Sequence, residues 1–245
     1  MIDRSRHLDW EGCFNVRDLG GLPTVDGRRT RWGAVVRADA MDGLTAAGWS
    51  ALVAHGVRTV VDLRSDDERG PDAAPRPGSV QTVHLPLDVA EDRAFWDVWA
   101  SGPQFGTPLY YRPHLDRFPE RNAAAVAAVA QAVPGGVVVH CGGGRDRTGQ
   151  VTMLLLALAG VPADVIAADY ALSESRLRRR YAAFGEPDQG PAITAFLADQ
   201  GLTTSGLIME ILSAVDVEAQ LRAGGLSGRD LAALRARLVG SGQPD

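Results

Sequence analysis

The chain has 245 residues, 45% of them hydrophobic, and a formal net charge of −5. That length and apolar content suit one α/β domain with a full core, and the negative balance argues against general nucleic-acid binding. All 25 basic side chains are arginine, and the two cysteines, Cys13 and Cys141, imply no disulfide framework. A free thiol fits a reducing, cytoplasmic compartment. The opening MIDRSRHLDWEG is charged and lacks an apolar core, so it reads as neither a signal peptide nor a membrane span.

Asp26-Gly27 marks a hairpin turn, and Trp32 to Arg37 reads as its strand. Arg17 and Asp18 beside Gly20 and Gly21 are expected to form a structural ion pair, with direct substrate contact as the alternative. Thr45 caps a helix to about His55, where Gly56 stops it, and Val57 to Leu63 is a buried strand. Helix then strand with short links predicts a parallel sheet. Asp62 and Arg64 fall at a strand's C-terminal end, where such sheets place ligands; they read equally as a buried structural pair. Residues 66–77 read as an exposed loop, and Val80 to Leu85 as a strand that leads to Asp88. Ala94 to Ser101 is an amphipathic helix; Tyr110, Tyr111, His114 and Phe118 lie on a helix that can border a pocket; Asn122 to Val133 is an Ala-rich helix.

The chain then reaches Val137-Val138-Val139-His140-Cys141-Gly142-Gly143-Gly144-Arg145-Asp146-Arg147-Thr148-Gly149. The valines form a short buried strand, and Val151 to Ala159 is apolar enough for a buried helix. Strand, glycine-rich turn and helix together aim backbone N–H groups and a helix N-terminus at an anion. In such a loop the donors surround the Cys141 sulfur and favour the nucleophilic thiolate. The same donors suit a phosphoryl group, with Arg147 binding two of its oxygens and Thr148 offering a hydroxyl to the sulfur. Gly142, Gly143, Gly144, Arg145, Thr148 and Gly149 are the expected phosphate-binding positions. No His/Cys/Asp group has metal-ligand spacing, and no cofactor is implied. Downstream, Pro162 opens a helix, Ser173 is expected to cap the next, Arg176 and Arg178 to Arg180 form a solvated face or a basic rim, and residues 184–190 make a break. Two further helices are expected, the last capped by Ser227 and Asp230, and then a frayed tail from Gly240.

His140-Cys141-x5-Arg147-Thr148-Gly149 resembles the signature loop of the protein tyrosine phosphatase superfamily. With Asp146 before the arginine, it is most similar to the bacterial tyrosine/lipid phosphatase branch that contains mycobacterial protein tyrosine phosphatase B. Asn15-Val16-Arg17-Asp18-Leu19-Gly20-Gly21, Val61-Asp62-Leu63-Arg64-Ser65 and Ala168-Asp169-Tyr170-Ala171-Leu172-Ser173 agree with that branch. Arg145 stands where the branch usually has lysine, which bears on substrate shape rather than reaction class.

The resemblance implies the cysteine phosphatase fold, a central mainly parallel sheet flanked by helices, in a single domain over 1–245 with a helical lid at about 162–205. It implies a phosphocysteine mechanism with Cys141 as nucleophile and Arg147 holding phosphate. For the general acid it points first to Asp146, then to Asp88, then to Asp62. His140 is expected to be buried and to tune the sulfur indirectly, and Arg64 to help hold the site. The implied substrates are phosphotyrosine proteins or phosphoinositides. Alternatives are a small phosphorylated metabolite, a non-catalytic phosphate-binding module, or a rhodanese-like sulfurtransferase. The oligomeric state is left open.

Overall fold

Valines build the centre of the sheet. The computed structural model describes residues 5–239; the expected frayed tail and the first four residues of the charged N-terminus lie outside that range. The strands are β1 (Arg17–Asp18), β2 (Val35–Ala38), β3 (Val57–Asp62), β4 (Gln81–His84) and β5 (Gly136–His140), in the order β1-β2-β5-β3-β4. β2, β5, β3 and β4 run parallel, and β1 pairs antiparallel with β2 at the edge. Side chains alternate across each strand. Val35, Val61, Val137 and Val139 therefore enter one core, while Val36, Val60 and Val138 enter the other. A sheet buried on both faces needs this continuous run of β-branched residues.

One face is covered by α1 (Ala46–Ala54) and the N-terminal segment through Trp10 and Trp49. Thr45 caps α1 by accepting a hydrogen bond from Gly48 N, and Gly56 ends the turn with φ +94°. The other face carries α2 (Arg93–Trp99), α3 (Tyr111–Arg117), α4 (Pro119–Gln131) and α5 (Asp146–Leu158). The chain continues through α6 (Ala163–Phe184), α7 (Gly190–Ala198), α8 (Thr204–Ala214), α9 (Val217–Ala223) and α10 (Gly228–Leu238).

Three local expectations are corrected. The Asp26-Gly27 turn joins only an isolated bridge, Pro23 to Arg29, and the antiparallel ladder instead pairs Arg17 with Arg37 and Asp18 with Val36. Ser173 caps nothing: α6 runs unbroken across it, and its hydroxyl accepts a hydrogen bond from Arg17. Among the described residues four helices, not two, follow the break at Gly185, because Gly201, Asp216 and Gly224-Gly225 each interrupt the run. Ser227 does cap the last helix, accepting from Asp230 N at 3.0 Å.

The register lines up the C-terminal ends of four neighbouring strands. Ala38 and Asp62 both pair with His140, and His84 pairs with Asp62. The segments that leave these ends carry Asp39, Arg64 and Glu68, Asp88, and the cysteine loop. Placing ligand-binding groups beyond the carboxyl ends of parallel strands is the general rule for such sheets.

Candidate active site

The cysteine loop is shaped from behind. The carbonyl of Gly142 accepts from Ala40 N at 2.9 Å. Asn15 Nδ2 donates to the carbonyls of Gly143 and Gly144, each at 3.1 Å, and Arg37 donates to the Gly144 carbonyl at 2.9 Å. In a trans peptide the N–H points opposite to the C=O. Tying these three carbonyls outward therefore turns the N–H groups of Gly143, Gly144 and Arg145 toward the concave side, and α5 begins at the next residue with its N-terminus at the loop. The three glycines are not equivalent. Only Gly144 has positive φ (+66°), and a Cβ there would press on the Ala38 carbonyl oxygen. Gly149, inside α5, lets Tyr170 pack close: a Cβ would lie 2.5 Å from its ring.

Behind the loop sits a buried ionic network. Asp169 on α6 takes Arg17 Nε at 3.1 Å, Arg37 Nη1 at 2.9 Å and Arg6 Nη1 at 2.6 Å. Arg17 also donates to Asn15 Oδ1 at 2.7 Å, which orients the amide that holds the loop. Burial brings Arg17 down to about 9, with Arg37 adding to the effect. Burial alone would raise Asp169, but its arginines hold it well below the usual carboxylate range. Arg17 is thus bound to Asp169 and not to Asp18. Asp18 instead accepts from Gly20 N and Gly33 N and meets His55.

Cys141 is buried, with 2% exposure, at the mouth of β5. His140 is fully buried; its Nδ1 lies 3.3 Å from the Cys141 carbonyl and its Nε2 lies 3.6 Å from Asp62. Burial lowers the imidazole to about 4, so the ring is neutral. The Thr148 hydroxyl is buried and has no hydrogen-bond partner among the described residues.

Arg147 reaches over the loop. Its two terminal nitrogens meet both oxygens of Glu68, one of them at 2.5 Å, and its Nε lies 3.5 Å from Asp88 Oδ2. Glu68 sits at the end of a short 3-10 turn, where its carboxylate also accepts from Ser65 N.

The carboxyl groups near the loop differ sharply. Asp62 is buried and held by Arg64 through bonds of 3.0 and 2.9 Å. Burial favours its neutral form, but Arg64 and His140 outweigh it and hold the group at about 2. Arg64 in turn binds Asp42, so the Asp62–Arg64 pair braces the strand ends. Asp146 pairs with Arg145 Nε at 3.1 Å and lies 3.4 Å from the Tyr170 hydroxyl. Asp88 is pushed up to about 6 by burial, with Glu68 and Asp146 adding to the shift and Arg147 opposing it.

The match to the tyrosine phosphatase family runs over residues 8–240. The chain belongs to the tyrosine phosphatase family, a family of phosphoric monoester hydrolases. A Cupriavidus necator protein with a tyrosine-protein phosphatase name is 34% identical over 180 residues, 71% of this chain and 65% of that protein. The match thus spans just under two thirds of that relative's length. Triple specificity protein phosphatase PtpB of Mycobacterium tuberculosis is 30% identical over 203 residues, 71% of this chain and 72% of PtpB. A tyrosine-protein phosphatase of Nostoc commune is 33% identical over 142 residues, 57% of this chain and 48% of that protein.

Beside the loop, α6, α7 and α8 enclose a cavity of about 260 Å³ lined by Arg145, Tyr170, Leu177, Tyr181, Ile193 and Leu197 among others. Arg145 runs past Gly106, where a side chain would collide with its guanidinium. The arginines of α6 divide: Arg178 pairs with Asp188 and Arg180 with Glu186 at the surface, whereas Arg176 is largely buried and donates to the Phe14 carbonyl at 2.8 Å. No helix among the described residues is long and apolar enough to cross a membrane.

The site also uses residues that carried no assigned role in the sequence. Glu68 lay in a stretch read as an exposed loop. Asn15, Arg37 and Asp169 come from segments far apart in the chain. Asn15-Val16-Arg17 and Ala168-Asp169-Tyr170 both resemble the family, and the opposite charges of Arg17 and Asp169 are the one sequence feature that could have paired them.

Proposed function

We propose that this chain hydrolyses phosphate monoesters on phosphoproteins, with phosphotyrosine as the first candidate and phosphoinositides as a further substrate class. The reaction proceeds through a phosphocysteine. The Cys141 sulfur attacks phosphorus, the S–P bond forms, and the P–O bond to the leaving group breaks. An aspartic acid at the rim gives its proton to the leaving oxygen. Water then attacks the phosphocysteine, the S–P bond breaks, and the same carboxylate takes the water's proton. The N–H groups of Gly143, Gly144 and Arg145 and the guanidinium of Arg147 stabilise the oxygens of the transferring phosphoryl group. Gly142 lends the loop its close approach, Thr148 and Gly149 continue it into α5, and Arg145 faces the substrate side.

The observation that carries this reading is the loop itself: a buried cysteine, three carbonyls tied outward, and an arginine aimed across the opening by Glu68. The tyrosine phosphatase names of the relatives support the phosphoprotein class, and the printed triple specificity of PtpB supports the wider range. Helices α6 to α8 are proposed as a lid whose cavity beside Arg145 receives part of the leaving group. The test is acid-quench mass spectrometry of the enzyme mixed with a phosphotyrosine peptide. A phosphate adduct on Cys141 is expected; turnover with no adduct on that residue would overturn the mechanism. Parallel assays on a phosphoserine peptide and a phosphoinositide set the substrate range.

A further inference from the structure

Two buried polar atoms near the site face each other without a hydrogen-bond partner among the described residues: Asp88 Oδ1 and His114 Nε2. They are 4.0 Å apart. Asp88 follows β4, and His114 projects from α3, fully buried against the rings of Phe95, Trp96, Tyr110 and Phe118.

The tautomer of His114 follows from its neighbours. Asn122 Nδ2 donates to the Phe118 carbonyl at 2.9 Å, which fixes the direction of that amide. Asn122 Oδ1 then accepts from Gln150 Nε2 at 2.6 Å, which fixes the direction of Gln150. Both NH2 groups also face His114 Nδ1, at 3.2 and 2.9 Å. An amide NH2 only donates, so Nδ1 is the acceptor and the ring proton sits on Nε2. Burial lowers the ring to about 4 and keeps it neutral. The Nε2–H therefore points at the segment holding the Leu87 carbonyl and Asp88 Oδ1.

Asp88 thus lies between two groups that can hold it. Its Oδ1 faces a neutral donor with a fixed proton, and its Oδ2 faces Arg147 Nε at 3.5 Å. The other charged groups that act on it are Glu68 and Asp146. On the phosphatase reading given above, we infer that Asp88 is the proton donor to the leaving oxygen and that His114 is its positioning residue, holding Oδ1 so that Oδ2, beside Arg147, presents the proton to that oxygen. The 4.0 Å separation shortens to a hydrogen bond when substrate engages Arg147, as catalytic contacts do on forming the substrate complex. Asp88 then keeps its proton at mildly acidic pH, up to about 6, because burial raises it that far.

The test compares p-nitrophenyl phosphate, whose leaving group needs little protonation, with phenyl phosphate, whose leaving group needs it. Asp88→Asn is expected to lose about 100-fold on phenyl phosphate, far less on p-nitrophenyl phosphate, and to abolish the basic limb of the pH profile. His114→Leu removes a donor that stabilises the carboxylate, so the basic limb moves to higher pH while kcat falls and KM holds. His114→Gln places an amide N–H near the position of Nε2 and returns the limb toward its original place. The Kd for inorganic phosphate, unchanged in both His114 variants, shows that the loop is intact. If His114→Leu does not fold, His114→Gln and Asp88→Asn still decide the matter. Wild-type leaving-group dependence in Asp88→Asn, with the loss appearing in Asp146→Asn, would overturn the inference and leave the phosphatase reading standing. A basic limb that stays in place in His114→Leu would overturn the positioning role. Failure of the phosphatase reading itself would show separately, as activity that survives Cys141→Ser.

Discussion

Gly142, Gly143 and Gly144 look alike in the sequence, yet the fold needs only one of them to be glycine. Gly144 alone has positive φ, and its missing Cβ makes room for the Ala38 carbonyl. Gly144→Ala should cost at least about 1 kcal/mol from the backbone alone, before the clash is counted. Gly143→Ala meets only Leu177 at 3.5 Å, an ordinary contact, and should unfold near the wild type in urea. Equal destabilisation by the two would contradict the assignment. Glu68 makes the second residue-scale case. It anchors the outer end of Arg147, so Glu68→Gln should loosen the guanidinium and raise KM for an aryl phosphate by about tenfold, with a smaller change in kcat. An unchanged or lower KM would mean that the pair competes with substrate instead. Cys141, Arg147 and the glycines were legible because their spacing is a local pattern. Glu68 was not, since nothing in an acidic, loop-like run tells which carboxylate turns back toward an arginine 79 residues later.

Among the elements, the strands and caps could be read because each rests on a few adjacent residues: valine runs, Thr45 before α1, Ser227 before α10. Ser173 misled because Ser-Glu-Ser resembles a helix start. Glycine and proline are absent from Ala163 to Phe184, and that uninterrupted stretch was the better guide. Packing explains the rest. Ser173 and Asp169 share one face of α6, which delivers both to Arg17. The network joins α6 to the edge strand β1 and its neighbour β2, and through Asn15 and Arg37 to the cysteine loop. Three arginines share one buried carboxylate, so Asp169→Asn leaves buried positive charge uncompensated. It should destabilise the protein by about 3–5 kcal/mol in urea. It should also weaken inorganic phosphate binding, because the outward pull on the Gly144 carbonyl slackens. A loss of stability with phosphate affinity intact would separate the network from the loop.

Across the whole molecule, buried titratable groups set the pH response of stability. His114 and His140 sit at about 4 in the fold against 6.5 for a free imidazole. As pH falls from about 6.5 toward 4, the unfolded chain takes up protons that the folded chain refuses, so stability drops. Asp88, at about 6 against 3.8, works the other way over an overlapping window. Two histidines outweigh one aspartate, and Asp62, at about 2, withdraws further stability only at lower pH. The Tm should therefore fall on acidification through this range, and more steeply in Asp88→Asn. A Tm that rises would contradict the burial of both imidazoles. The parallel sheet itself followed from the alternation of helix and strand, whereas the convergence of its strand ends on one site depends on a register that no single segment encodes.

The measurement that bears most directly on the central claim is phosphate release from p-nitrophenyl phosphate under reducing conditions with a chelator present, for the wild type and for Cys141→Ser. Turnover in the wild type that is lost in the variant, while both proteins unfold at the same temperature, is the expected result. No turnover in the wild type, or equal turnover in the variant, would contradict the assignment of Cys141 as the nucleophile of a phosphatase.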